Sequence, residues 1–184
     1  MLAAVLIWLY TGALCYVYGA LFFRKTPFAL ALLAGLVVLT VFAQFFSLFF
    51  RIGWLIHLIL LAGAIWAVFT RRIPRPKFQL PAAGLPFLVL FIILLLVLEN
   101  ATQRSTNPDT SLYHAQAIRW IETYPTVPGL GNLHGRLAFN SSWFVTNALF
   151  SFSFLELRSF HLSAGFIFLA AMFIFWQGLA FLAA

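Results

Sequence analysis

Charge is what this chain has least of. Of its 184 residues 8% are charged and only four are Asp or Glu, against 64% hydrophobic residues and a mean hydropathy of +1.01. A soluble domain carries about 25% charged residues, so the composition excludes a soluble globular protein and points to an integral membrane one. Cysteine is nearly absent too. The single Cys15 excludes an intramolecular disulfide and a cysteine-built metal cage. Its place inside an apolar run makes it a packing residue. The start lacks a basic n-region, so the first apolar run reads as a retained span and not a cleaved leader. Repeats, heptads and low-complexity tracts are missing as well. The net charge of +7 would suggest nucleic acid in a soluble chain. Here the cations fall mostly in short loops between apolar runs, where they signal topology, and no nucleic-acid partner is expected.

What is present is a series of runs long enough to cross about 30 Å of hydrocarbon at ~1.5 Å per residue. Six spans are expected: residues 2–23, 28–50, 54–70, 81–98, 142–154 and 160–184, the fifth of them short. The fold class is therefore all-α, a polytopic helix bundle. Arg24, Lys25, Arg71, Arg72, Arg75, Lys77 and Arg158 fall in three short loops on one side, and Arg51, Arg104, Arg119 and Arg136 on the other. The positive-inside rule makes the first side cytoplasmic and loop 99–142 extracytoplasmic. Two parts are expected. Residues 1–80 form a three-span bundle with its basic loop, and residues 81–184 begin a second core. Gln44 and His57 are lone polar positions within spans, where such residues more often bond a neighbouring helix than a ligand.

Loop 99–142 holds most of the remaining chemistry, including Asp109, His114, Glu122, His134 and Arg136. A helix is expected over residues 110–124, with Asp109 after Pro108 as its N-cap. On a 100° wheel Asp109, Tyr113, Gln116 and Trp120 share one face, while Ala115, Ile118 and Ile121 share another. This describes an amphipathic helix lying at the membrane surface. His114 falls nearer the second face, so a regular helix does not present it together with Asp109. Joint action needs Asp109 outside the helix with its side chain turned back. No metal-motif spacing links Asp109, His114 and His134. Gly129, Gly131 and Gly135 interleave with Asn132, His134 and Arg136. Glycines permit close backbone approach and the Arg136 fork suits phosphate oxygens, so the segment reads either as an anion-binding loop or as a turn with Arg136 on lipid headgroups or Glu122.

The pattern Asp109-x-x-x-Tyr113-His114-x-Gln116, then Pro128-Gly129-Leu130-x-Asn132-Leu133-His134-x-Arg136 and Asn140-Ser141-Ser142-Trp143, resembles the first outer loop of the C-type (GT-C) membrane glycosyltransferases. It is closest to an uncharacterised bacterial multi-span family assigned to that superfamily. The resemblance covers residues 107–152 and implies the N-terminal piece of a longer cell-envelope protein in the bacterial inner membrane, completed by further helices. It implies sugar transfer from a polyprenyl-phosphate-linked donor to an extracytoplasmic acceptor. Asp109 matches the superfamily's catalytic aspartate, which acts as general base or helps hold a divalent metal. Many of those enzymes carry an acidic pair there, whereas Asn107 and Pro108 precede a single aspartate here. Tyr113, His114, Gln116, Asn132, His134, Arg136 and Asn140 are the expected substrate-binding residues, with membrane lipid as the surrounding partner. The other classes open to the sequence are a lipid or polysaccharide transporter component and a non-catalytic membrane subunit.

Overall fold

The computed structural model describes residues 1–70, 72–74, 76, 84–139, 141–157 and 162–182. Its elements are helical throughout. They are α1 (Leu2–Phe22), α2 (Phe28–Ser47), α3 (Trp54–Phe69), α4 (Leu85–Thr102), a π turn (Thr110–His114), α5 (Ala115–Thr123), 3-10 turns at Leu130–Asn132 and Gly135–Ala138, α6 (Ser142–Leu149), a 3-10 turn at Ser153–Leu155, and α7 (Leu162–Leu182). Among the described residues three helices, α1, α2 and α4, are long and apolar enough to cross a membrane, which fits a membrane protein but is fewer than the six spans expected. The 16-residue α3 is about 24 Å long and α6, with eight residues, about 12 Å. The division at residue 80 falls outside the described residues, as does Pro81.

α1 stops where Arg24 and Lys25 enter. Phe23 N–H closes on the Gly19 carbonyl at 2.8 Å, and Pro27, at ψ 150, opens α2. The two helices then pack backbone to backbone. A Cβ on Gly19 would meet the Ala31 carbonyl, and one on Gly35 would meet the Cys15 carbonyl. Such approach is how apolar helices associate where lipid removes the hydrophobic drive. Cys15, Leu39 and Ile56 are fully buried here, Cys15 in its expected packing role. α3 is tied to α1 by hydrogen bonds. The Tyr18 hydroxyl donates to the Leu60 carbonyl at 2.8 Å, and the Tyr10 hydroxyl meets His57 Nδ1 at 2.9 Å. His57 thus bonds a neighbouring helix, as its lone position suggested.

One end of the bundle gathers the start of α1, the α2–α3 turn, the end of α4 and α5. Thr126 N–H donates to the Ser47 carbonyl at 2.8 Å and Ile52 N–H to the Ile121 carbonyl at 3.0 Å. At the opposite, basic end lie Phe22, Phe28, Phe69 and Leu85, with Phe28 against Phe173 of α7 at 6.0 Å between ring centres.

The fifth expected span does not cross. α6 enters from the loop end and stops at Leu149. The chain turns at Phe152 (φ 52) and again at Glu156 (φ 61). Leu157 and Leu162 then line a cavity together with Met1, Ala4 and Ala101, back at the loop end. Residues 142–157 therefore form a re-entrant hairpin, and α7 runs opposite to expectation. The Trp8 indole N–H donates to the Leu162 carbonyl at 2.8 Å near the loop end, while Phe173 sits at the basic end. The cause is local. Asn147, Ser151 and Ser153 interrupt the apolar run. Asn147 Nδ2 donates to the Trp143 carbonyl at 2.8 Å, Ser151 Oγ to the Ala148 carbonyl at 3.1 Å, and Ser153 N–H to Ser151 Oγ at 3.3 Å. These bonds satisfy a turn inside protein, where irregular backbone at membrane depth is tolerated. Arg158, expected on the basic side, lies outside the described residues.

Candidate functional site

α4 runs through Glu99 and Asn100 to Thr102, past its expected end at Leu98. The chain then makes a run of side-chain turns. Ser105 Oγ meets Thr110 Oγ1 at 2.8 Å and accepts Asn107 N–H at 3.3 Å, while Asn107 Oδ1 accepts Asp109 N–H at 2.9 Å. Ser105 and Asn107 thus organise the helix start. The expected N-cap at Asp109 is not made: its side chain caps nothing. The carboxylate is left free to point elsewhere, and it does.

Asp109 Oδ1 accepts from Arg136 Nη1 at 2.9 Å, across 27 residues of loop. Arg136 sits on the Gly135–Ala138 turn, where its own N–H donates to His134 Nδ1 at 3.3 Å. Its guanidinium lies over the Tyr113 ring, 5.3 Å from the centroid. That ring is held edge-on by His114 at 4.3 Å and Phe139 at 5.8 Å, and Phe144 touches both Tyr113 and His114 at 6.3 and 5.3 Å. The pair is half in solvent, with 46% of the Arg136 side chain and 44% of the Asp109 side chain exposed.

Tyr113 follows Asp109 at i+4 and so shares its side of the helix start, and Arg136 contacts both; His114 joins through Tyr113 and Phe144, and His134 through the Arg136 N–H. The structure thus assembles Asp109, Tyr113, His114, His134 and Arg136 in one cluster. Gln116 is exposed on α5 and joins none of these contacts, and Asn140 lies outside the described residues. Among the described residues no three of His, Cys, Asp and Glu gather as a metal-ligand group.

Asn132 belongs to a different place, a cavity of about 500 Å³ under the loop. Gln44, Ser47, Trp120, Tyr124 and Ser141 line it too, and Phe139 and Phe144 divide it from the Asp109–Arg136 pair. Trp120 packs against Tyr124, ring centres 5.2 Å apart, and lines this cavity rather than joining the contacts around Asp109. Sequence reasoning missed the cavity. It read Gln44 as bonding a neighbouring helix, yet Gln44 Oε1 is buried without a hydrogen-bond partner. A lone amide one turn from the end of a span was the available signal.

Chemically, the cluster offers a carboxylate able to accept a proton and a planar cation able to hold phosphate oxygens, side by side at the bundle's end. The family described as Domain of unknown function (DUF8201) matches residues 1–182. No curated protein and no solved structure matches the chain.

Proposed function

We propose, for a chain that belongs to that family, sugar transfer from a polyprenyl-phosphate-linked donor to an extracytoplasmic acceptor, in the manner of the C-type glycosyltransferases its loop resembles. The observation carrying this reading is the 2.9 Å contact between Asp109 and Arg136. Loss of a proton from the attacking hydroxyl calls for a carboxylate, and growth of charge on the leaving phosphate calls for a preset cation. Asp109 takes the proton; Arg136 exchanges its hold on Asp109 for the phosphate oxygens. Tyr113 and His114 keep the guanidinium in place, and His134 fixes its turn. The loops joining α1 to α2 and α3 to α4 carry Arg24, Lys25, Arg71, Arg72, Arg75 and Lys77. On this reading the basic end faces the cytoplasm, by the positive-inside rule, and the site lies outside, in the bacterial inner membrane that the resemblance implies. Further helices of a longer chain complete the substrate sites.

The test is purification of the full-length protein from its own membranes, mass spectrometry for co-purifying polyprenyl phosphate, and transfer assayed with the Asp109→Asn variant. Transfer surviving in that variant removes the base. A second reading, a lipid or polysaccharide transporter, draws support from the re-entrant hairpin with Asn147 buried at depth and its Oδ1 unbonded, because transporters place broken helices and polar groups there. Flux of lipid-linked sugar without transfer would select it.

A further inference from the structure

The cavity beneath the outer loop has a chemistry of its own. Among the described residues, none that line it is charged. An anionic ligand would meet no cation there and a cationic one no carboxylate, so burial would be costly for either. What the walls supply is neutral and polar: the amides of Gln44 and Asn132, the hydroxyls of Ser47, Tyr124 and Ser141, and the Trp120 indole. Trp and Tyr each present an apolar face with a polar tip. Gln44 lines this space, and its Oε1 is buried without a hydrogen-bond partner in the chain. A volume of about 500 Å³ lies within the range of small-molecule sites.

A second cavity of similar volume adjoins it. It lies between α2, α6 and α7, lined by Leu36, Val37, Val41, Phe45 and Ile167, and it shares Gln44 with the first. Leu36, Thr40 and Gln44 follow at i, i+4 spacing, so one stripe of α2 leads from the polar cavity down into the apolar bundle. The Thr40 and Thr146 hydroxyls, 2.8 Å apart, pin α6 against that stripe. A single occupant of both spaces must have an uncharged, hydroxyl-bearing head and a hydrocarbon chain.

We propose that these adjoining cavities bind a neutral glycolipid, its sugar ring under the loop against Trp120 and Gln44 and its chain in the α2–α6–α7 groove. Binding stands without the transferase reading; calling this lipid the acceptor rests on that reading. The full-length protein is placed in phosphatidylcholine nanodiscs with equal mole fractions of monoglucosyl-diacylglycerol, bare diacylglycerol and phosphatidylglycerol, and retained lipid is counted by native mass spectrometry. The glucolipid is expected to be retained about tenfold over either competitor, and Gln44→Leu to lower its retention about tenfold, the loss of one hydrogen bond from the cavity wall. Asn132→Ala, on an exposed turn, repeats the test where folding is not at stake. Equal retention of the glucolipid and bare diacylglycerol, preference for phosphatidylglycerol, or full retention in both variants overturns the proposal. Absent sugar transfer with intact glucolipid retention would sink only the transferase reading.

Discussion

Asp109→Asn separates a working carboxylate from a merely structural one. Both members of the Asp109–Arg136 pair are close to half exposed, and exposed pairs of this kind contribute about 0.2–1 kcal/mol to stability. The Arg136 guanidinium over Tyr113 adds about 0.5–1 kcal/mol at a solvent-facing site. Asp109→Asn should therefore cost at most about 1 kcal/mol, and Arg136→Ala at most about 2 kcal/mol because it also loses the ring contact. Loss of a general base, by contrast, slows a reaction about 10²- to 10⁴-fold, equivalent to roughly 3–5 kcal/mol of barrier. The two scales do not overlap. The assay pairs melting of the detergent-purified full-length protein with transfer of radiolabelled sugar from polyprenyl-phosphate-linked donor. The expected result is a melting temperature within a few degrees of wild type and transfer lowered at least 100-fold, with an Asp109→Arg/Arg136→Asp swap restoring the melt but not the transfer. Transfer within threefold of wild type at an unchanged melt would refute the base. A melt lowered by much more than the ion pair can account for would make Asp109 a structural residue after all.

Other outcomes follow from the bundle. Gly19→Ala and Gly35→Ala should each push α1 from α2 and cost about 1–3 kcal/mol in thermal melts; Gly12→Ala, whose new Cβ meets only Phe166 at 3.6 Å, should cost little. Tyr10→Phe leaves His57 Nδ1 buried without its 2.9 Å partner and should destabilise by about 1–3 kcal/mol. The double change Tyr10→Phe/His57→Phe should melt higher than that single one, since removing both partners leaves nothing unpaired. Because Cys15 is fully buried, introduced cysteines report topology: Leu133→Cys and Leu155→Cys should react with a membrane-impermeant maleimide from one side and Phe23→Cys from the other. Leu155→Cys reacting with Phe23→Cys would restore a crossing fifth span.

Composition and hydropathy made the membrane class, the helical fold and the first three helices legible, each within a few residues at its ends, because a span is a length of unbroken apolar sequence and little else. α4 shifted because Glu99 and Asn100 lie at the open loop end, where a helix continues at no desolvation cost until Gln103 turns extended. The loop was legible as residue types and not as geometry. Asp109, Tyr113 and Arg136 were identifiable by chemistry, and the wheel put Asp109 and Tyr113 on one face, but their union with Arg136 depends on Ser105 and Asn107 taking over the turn, which frees the Asp109 side chain, and on a contact across 27 residues of loop. A helical wheel has no means of anticipating either.

Residues 142–155 carried the largest discrepancy, and its origin bears on function. An apolar run of 10–14 residues fits a re-entrant segment as well as a short span, and hydropathy weighs Asn147, Ser151 and Ser153 against their neighbours without asking whether each can bond back to its own turn. They do, and the hairpin stays at the loop end. The consequence reaches the site: Phe144, on the entering arm, walls Tyr113 and His114, while Thr146, two residues on, bonds α2 beside the groove. Both contacts lie on α6 itself, so this single short helix braces the Asp109–Arg136 cluster on one side and closes the α2–α6–α7 groove on the other, and any change that displaces α6 should disturb both sites together.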